Sequence, residues 1–162
     1  MLEIRKLPTR RWKDGRRLRL EALKLEPLAF GSTPEEEERL GEREWRKRIR
    51  DAWFAMYDEA PVGMIVCSFN HETKFRHIAE IYSFYVSAAH RGKGVGTALL
   101  DHALKLIQKN KRIVKVRLYV NGEQRSAVRM YEKVGFAVTG RLDKEMKVGR
   151  KFYTMLMMEK MP

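Results

Sequence analysis

The feature that most restricts the fold of this 162-residue chain is a glycine-spaced turn set between two unlike stretches. Before it, residues 77–86 are rich in β-branched and aromatic side chains, the composition of a strand. Beyond it, residues 94–110 place Val95, Leu99, Ala103, Leu106 and Ile107 at helical spacing. The turn itself reads Arg91-Gly92-Lys93-Gly94-Val95-Gly96-Thr97. Glycines at a helix start let the backbone approach a ligand closely and turn successive N–H groups toward it. The helix dipole adds roughly half a positive charge at that end, so the segment suits a phosphate or pyrophosphate, with Arg91 and Lys93 supplying full charges. It is neither the GxxxxGK[ST] phosphate loop nor the GxGxxG dinucleotide fingerprint, because Gly92, Gly94 and Gly96 stand two residues apart. Read alone, it is equally a tight strand-to-helix connection.

The flanking pattern is that of one mixed α/β unit over residues 1–162. Residues 2–7 alternate like a strand that Pro8 ends, and residues 12–25 carry Leu18, Ala22 and Leu25 on one helical face with Leu20 and Leu23 beside it. Thr33 and Pro34 open a second helix, with Leu40, Trp45 and Ile49 on its buried side. Residues 53–57 and 62–69 form a hairpin turned at 58–61. After the glycine turn and its helix come a strand at 114–120, a helix at 124–134, and closing strands at 136–138 and 151–158. The expected fold is a mixed, mostly antiparallel sheet of about six to seven strands flanked by about four helices.

Composition narrows the function classes. No stretch approaches the roughly 18 to 20 uninterrupted apolar residues of a membrane span, and the first residues lack the apolar core of a signal peptide. The lone Cys67 excludes an internal disulfide, and the histidines at 71, 77, 90 and 102 have no ligand spacing, so no metal is expected. Cys67 reads as a small core residue, and His90 is the only histidine beside the glycine turn. A net charge of +13 favours anionic partners. No basic stripe interleaved with aromatics appears, however, which argues against nucleic acid.

The glycine turn has company. Some 25 residues on come Asn121-Gly122-Glu123-Gln124-Arg125-Ser126-Ala127 and then Tyr131, Gly135 and Phe136. An apolar-aromatic-Val strand end, [RQ]xxGx[GA], a further strand and NxxAxxxYxxxGF form the pattern of the GNAT superfamily of acyl-CoA-dependent N-acetyltransferases. The chain resembles it through Arg91, Gly94 and Gly96 and through Ala127, Tyr131, Gly135 and Phe136, at the family's spacing. It departs where the usual Asn is Gln124, with an Asn three residues earlier at 121.

This resemblance implies a GNAT-like fold and acetyl-CoA as co-substrate, without a metal. It implies that backbone N–H groups from Arg91 or Gly92, Lys93, Gly94, Val95, Gly96 and Thr97 hold the pyrophosphate. The pantetheine arm would lie along Phe84, Tyr85 and Val86, where a bulge opens the slot. Asn121 or Gln124 would reach the same arm. A main-chain N–H near Val86 would polarise the thioester carbonyl. Tyr131 matches the tyrosine that protonates the leaving thiolate, with Tyr82, Tyr119 and Tyr153 as weaker candidates. Glu80 is the candidate base, matching a glutamate of histone-acetylating members. Period-2 alternation would put Glu80, Tyr82, Phe84 and Val86 on one face.

The implied reaction is acetyl transfer to a primary amine of a polyamine, an amino acid, or a peptide or protein, by direct attack in a ternary complex. The glutamates at 35–38, 42 and 44 would draw a cationic acceptor, whereas the basic residues 141, 144, 147, 150 and 151 would draw an acidic one. A non-catalytic acyl-CoA-sensing or RNA-binding basic module is the alternative. A cytoplasmic location is expected, and the superfamily leaves a homodimer open.

Overall fold

The computed structural model describes residues 1–162 as a seven-stranded sheet with helices on both faces. In chain order the elements are β1 (Leu2–Arg5), α1 (Trp12–Leu25), α2 (Pro34–Glu38), α3 (Glu42–Asp51), β2 (Ala52–Tyr57) and β3 (Ala60–Phe69). There follow β4 (Ile78–Val86), α4 (Val95–Lys109), β5 (Lys115–Asn121), α5 (Arg125–Lys133), β6 (Ala137–Val148) and β7 (Lys151–Lys160). The strand order is β1-β2-β3-β4-β5-β7-β6. Every neighbouring pair is antiparallel except β4 and β5, which α4 connects as a crossover.

Two cores sit on opposite faces of the sheet. On the back face, α4 buries Val95, Leu99, Leu100, Ala103 and Ile107 against Ile65, Ala79, Ile81, Val116 and Leu118. On the front face, α1 and α3 bury Leu18, Leu23, Trp45 and Ile49 against Phe54, Met56, Met64 and Val66. β3 lies under both layers, which is why its sequence is a continuous apolar run rather than an alternation. No helix of the chain is long and apolar enough to cross a membrane.

The structure revises three details. The second helix is two helices, because Gly41 turns extended (ψ 171°) between α2 and α3, giving five helices instead of four. On α1 the buried set is Gly15, Leu18, Leu20, Ala22 and Leu23, so of the expected apolar residues only Leu25, 59% exposed, falls outside it. The strand expected at 136–138 runs on to Val148, and irregular pairing between Leu142 and Met146 lets it bend. As an edge strand, β6 keeps a charged sequence that has no clean alternation to read.

Gly15 sets how closely α1 approaches α3. A Cβ there would stand 2.5 Å from Ile49 Cγ2 and 3.4 Å from Phe54 Cζ. Alanine would gain about 1 kcal/mol of helix propensity, but overpacking a filled core costs typically ~1–3 kcal/mol. Gly15→Ala should therefore lower the thermal midpoint, by roughly 2–4 °C per kcal/mol lost for a chain of this size, measured by scanning calorimetry.

Candidate active site

The site exists because β4 and β5 part. They pair only where Ile78, Ala79 and Glu80 face Lys115, Val116 and Arg117. Beyond Glu80 a cleft of about 880 Å³ opens, with residues 81–86 on one wall and Tyr119 and Val120 on the other. The starts of α4 and α5 close its end.

A bulge produces the parting. Tyr82 pairs with Val66 and Tyr85 with Met64, so Ser83 and Phe84 share the single partner Ile65. Ser83 sits at φ 52°, left-handed backbone that a non-glycine residue adopts only when held there. The extra residue reverses the alternation. Ala79 and Ile81 face the α4 core, and after the bulge so do Phe84 and Val86, while Tyr85 turns to the front core. The expected shared face of Glu80, Tyr82, Phe84 and Val86 is thereby corrected: Glu80 and Tyr82 lie on the front.

Ser87 donates its N–H to the Val62 carbonyl at 2.8 Å. Successive residues of a strand turn their peptide groups to opposite sides, so Val86 presents its N–H and C=O to the cleft. That carbonyl accepts from Arg91 Nε at 2.9 Å. Arg91 also reaches Glu26 with Nη2 at 2.8 Å and lies over the Tyr85 ring at 5.7 Å. The Tyr85 hydroxyl donates to Glu21 (2.9 Å), and burial, then that carboxylate, push its pKa up to about 12.

The glycine turn is a cradle of free donors. Gly92 and Gly94 are left-handed, at φ 72° and 80°, with open space where a Cβ would stand. Arg91 N–H is already bonded to the Ala88 carbonyl, but none of the N–H groups of residues 92–97 finds a main-chain acceptor. No side chain caps α4, and no acidic residue sits in its first turn. A Cβ on Gly96 would stand 3.4 Å from Phe84 Cζ and 3.6 Å from Val86 Cγ2, so the cradle lies close against the bulged strand. Across the cleft, Tyr131 is 7% exposed, with its ring 6.2 Å from Phe84 and 5.9 Å from Phe136. Desolvation raises its pKa well above that of an ordinary phenol.

Residues 17–136 match the model of the acetyltransferase (GNAT) family. The chain belongs to the GNAT family. An uncharacterized N-acetyltransferase from Methanocaldococcus jannaschii is 34% identical over 93 residues, which are 56% of this chain and 41% of that protein. The chain thus spans under half the length of that relative. In structure, a GNAT-family acetyltransferase from Streptococcus pneumoniae superposes with a TM-score of 0.88, at 19% identity and over 100% of both chains. A GNAT-superfamily phosphinothricin acetyltransferase from Sinorhizobium meliloti, solved with acetyl-CoA, gives 0.84 at 20% identity, covering 99% of this chain and 88% of the other. At such identities these two likenesses concern the fold.

Within this GNAT domain the cleft gathers Phe84, Tyr85, Val86, Arg91, Gly92, Gly94, Gly96, Thr97, Gln124 and Tyr131. Lys93 is exposed beside it, and Val95 has its side chain in the core. Of the two amides, Gln124 lines the cleft. Asn121 is 1% exposed and occupied, accepting from the Glu123 N–H and donating weakly to the Met146 sulfur. Glu80 stands outside the cleft lining, in register with Arg117 and Ser68. Tyr82 and Tyr119 line the cleft and Tyr153 does not. Cys67 is half-buried in β3, and burial pushes its thiol up to about 11, so it stays protonated at neutral pH. His90 Nδ1 pairs with the Ser87 hydroxyl at 3.0 Å. Sequence reasoning missed Glu26, Ala29 and Arg125 as lining residues, and no short-range signal ties the α1–α2 loop to a turn some 65 residues later.

The acidic run beside the cleft is largely committed. Glu36 closes a capping box with Thr33, Glu38 pairs with Lys24, and Glu42 with Arg46. Glu37, 2% exposed, takes both Arg19 (2.8 and 2.9 Å) and Arg48 (3.0 Å). Burial alone would raise the Glu37 pKa, but the two guanidiniums outweigh it and hold it below the ordinary 4.5. A depressed carboxyl stabilises the fold above its unfolded pKa and loses that contribution as pH falls through its folded pKa. Urea unfolding from pH 7 down to 3 should show a loss setting in below about pH 4.5 that Glu37→Gln flattens. At pH 7 the same variant should cost about 3 kcal/mol, since it strands Arg19.

Proposed function

We propose that this chain is an acetyl-CoA-dependent N-acetyltransferase that moves the acetyl group to a primary amine by direct attack in a ternary complex. The observation that carries the reading is the row of unbonded N–H groups at residues 92–97, set where a bulged strand leaves its neighbour. Such a row, at an uncapped helix start beside Arg91, suits a pyrophosphate. Bound there, acetyl-CoA supplies an activated thioester.

The chain's own groups divide the remaining work. Gly92, Lys93, Gly94, Val95, Gly96 and Thr97 offer backbone donors to the pyrophosphate, with the Arg91 side chain beside them. Phe84, Tyr85 and Val86 form a free strand edge along which a pantetheine arm adds like a further strand, with Gln124 in reach. The Val86 N–H, turned into the cleft, stabilises the oxyanion that develops on the thioester carbonyl. Tyr131 donates a proton to the departing thiolate. Its raised pKa keeps the phenol protonated through the neutral and mildly alkaline range.

The amine must arrive neutral or lose a proton, since a lysine-like ammonium is only roughly one part in a few thousand neutral at pH 7. Glu80 is assigned that proton, relayed by water, because it lies on the same sheet face as Tyr82 but outside the cleft lining. The acceptor is an amine of a small molecule or of a peptide or protein. With its flanking glutamates tied up, the run at 35–38 is a weak lure for a polyamine.

Thiol release from acetyl-CoA, with polyamines, amino acids and short peptides as acceptors, tests the reading. Turnover with one acceptor class is expected, and Tyr131→Phe should lower kcat about 10²-fold while leaving acetyl-CoA binding within a few-fold. Binding without any turnover would point to an acyl-CoA sensor, and no binding would overturn the assignment. Gly94→Ala forces a side chain into left-handed backbone at a cost of about 1–3 kcal/mol. Calorimetry should therefore show acetyl-CoA binding weakened at least about fivefold.

A further inference from the structure

The bulge on which the cleft depends is held from another part of the chain. Arg19, on α1, gives Nε and Nη2 to the two oxygens of Glu37, and its remaining arm, Nη1, donates to the Ser83 hydroxyl at 3.1 Å. The guanidinium also lies 4.7 Å over the Phe30 ring, which meets Tyr85 edge-on at 6.5 Å. Two residues along α1, Glu21 holds the Tyr85 hydroxyl. The residues on both sides of Phe84 are thus fixed from the front, while Phe84 itself turns to the back.

The chemistry of the three arms is specific. A planar guanidinium gripped along its Nε/Nη2 edge by both oxygens of a buried carboxylate has no freedom to swing, so its remaining nitrogen, Nη1, is aimed by Glu37 and not by Ser83. Glu37 is in turn fixed by Arg48 from α3 and by the capping box that locks α2. Ser83 is the one β4 residue in left-handed backbone, a conformation that an unsupported serine leaves.

We propose that Arg19, aimed by Glu37, is a positioning residue that holds Ser83 in the bulge and thereby sets the acyl slot between β4 and β5. It touches neither co-substrate nor acceptor. The inference deepens the acetyltransferase reading and rests on it for its effect on rate, although not for its effect on the bulge.

The test separates the ion pair from the third arm. Arg19→Lys keeps a cation against Glu37 but has no planar edge left for Ser83. Deuterium exchange in residues 81–87 should accelerate in this variant while exchange in α4 does not change. On the acetyltransferase reading, kcat should fall about tenfold or more with the KM for acetyl-CoA within about twofold, because the cradle is untouched. Adding Ser83→Gly to Arg19→Lys should restore most of both losses, since glycine holds a positive φ unaided. Should Arg19→Lys fold poorly, Ser83→Ala, which leaves the Arg19–Glu37 pair intact, should give the same faster exchange in residues 81–87. Unchanged exchange in both single variants would overturn the inference, and so would a double variant no better than Arg19→Lys. If the wild type shows no turnover, the function falls and the exchange experiment still decides whether Arg19 holds the bulge.

Discussion

One extra residue in β4 governs the rest of the molecule. A parallel partner in register with β4 would have sealed the sheet, and the glycine cradle would have faced a closed surface. With Ser83 and Phe84 sharing Ile65, the strand twists away after only three paired residues and leaves main-chain groups without partners. Unpaired backbone groups are costly unless water or a ligand takes them, and a strand edge opposite an uncapped helix start gathers two such sets in one cleft. The same residue decides which side chains meet there. It sends Phe84 back toward Gly96 and Tyr131, and Tyr85 forward to α1.

Electrostatics follows the same division of labour. The chain carries +13, yet its most buried charges are carboxylates: Glu37 between Arg19 and Arg48, and Glu159 between Lys115 and Arg117. Each joins strands or helices far apart in sequence, and each is held below the ordinary carboxyl pKa by its cations against the opposing effect of burial. A basic composition here supplies internal partners as well as a surface potential, so net charge alone is a poor guide to what the protein binds.

Where periodicity and local spacing carry the information, the sequence could be read directly. The turn at residues 91–97, Val95, Leu99, Ala103 and Ile107 of the α4 stripe, and Tyr131 with Gly135 and Phe136 stand in the structure where their spacing puts them, whereas the expected Leu106 lies outside the core that Leu100 completes. The errors share a physical origin, which is that the deciding contact is distant. Two-residue alternation placed Phe84 beside Glu80, and only the pairing with β3 reveals that one residue is extra. Glu37 looks like any solvated glutamate in an acidic helix start until Arg19, 18 positions earlier, and Arg48 close over it. Strand β6 is legible only at its start, in residues 136–138, because its charged continuation is an edge that needs no apolar alternation, only the backbone of β7 beside it. Asn121 fits a family amide by type, but its turn-forming bond to Glu123 spends it locally, and Gln124 lines the cleft.

Arg91 shows how the two halves of the site are joined without a shared core. The cradle belongs to the back layer through Val95 and Leu99, whereas the α1–α2 loop belongs to the front layer through Phe30. The guanidinium of Arg91 spans them, bonded to the Val86 carbonyl, to Glu26 and over the Tyr85 ring. All three partners line the same cleft, and a ligand that draws on this cation beyond its free Nη1 competes with them. Glu26 is the weakest held, because an exposed ion pair contributes only about 0–1 kcal/mol, whereas the Val86 bond is backed by a strand. Competition for Arg91 at the cradle is therefore felt first at Glu26, which ties the cradle to the α1–α2 loop.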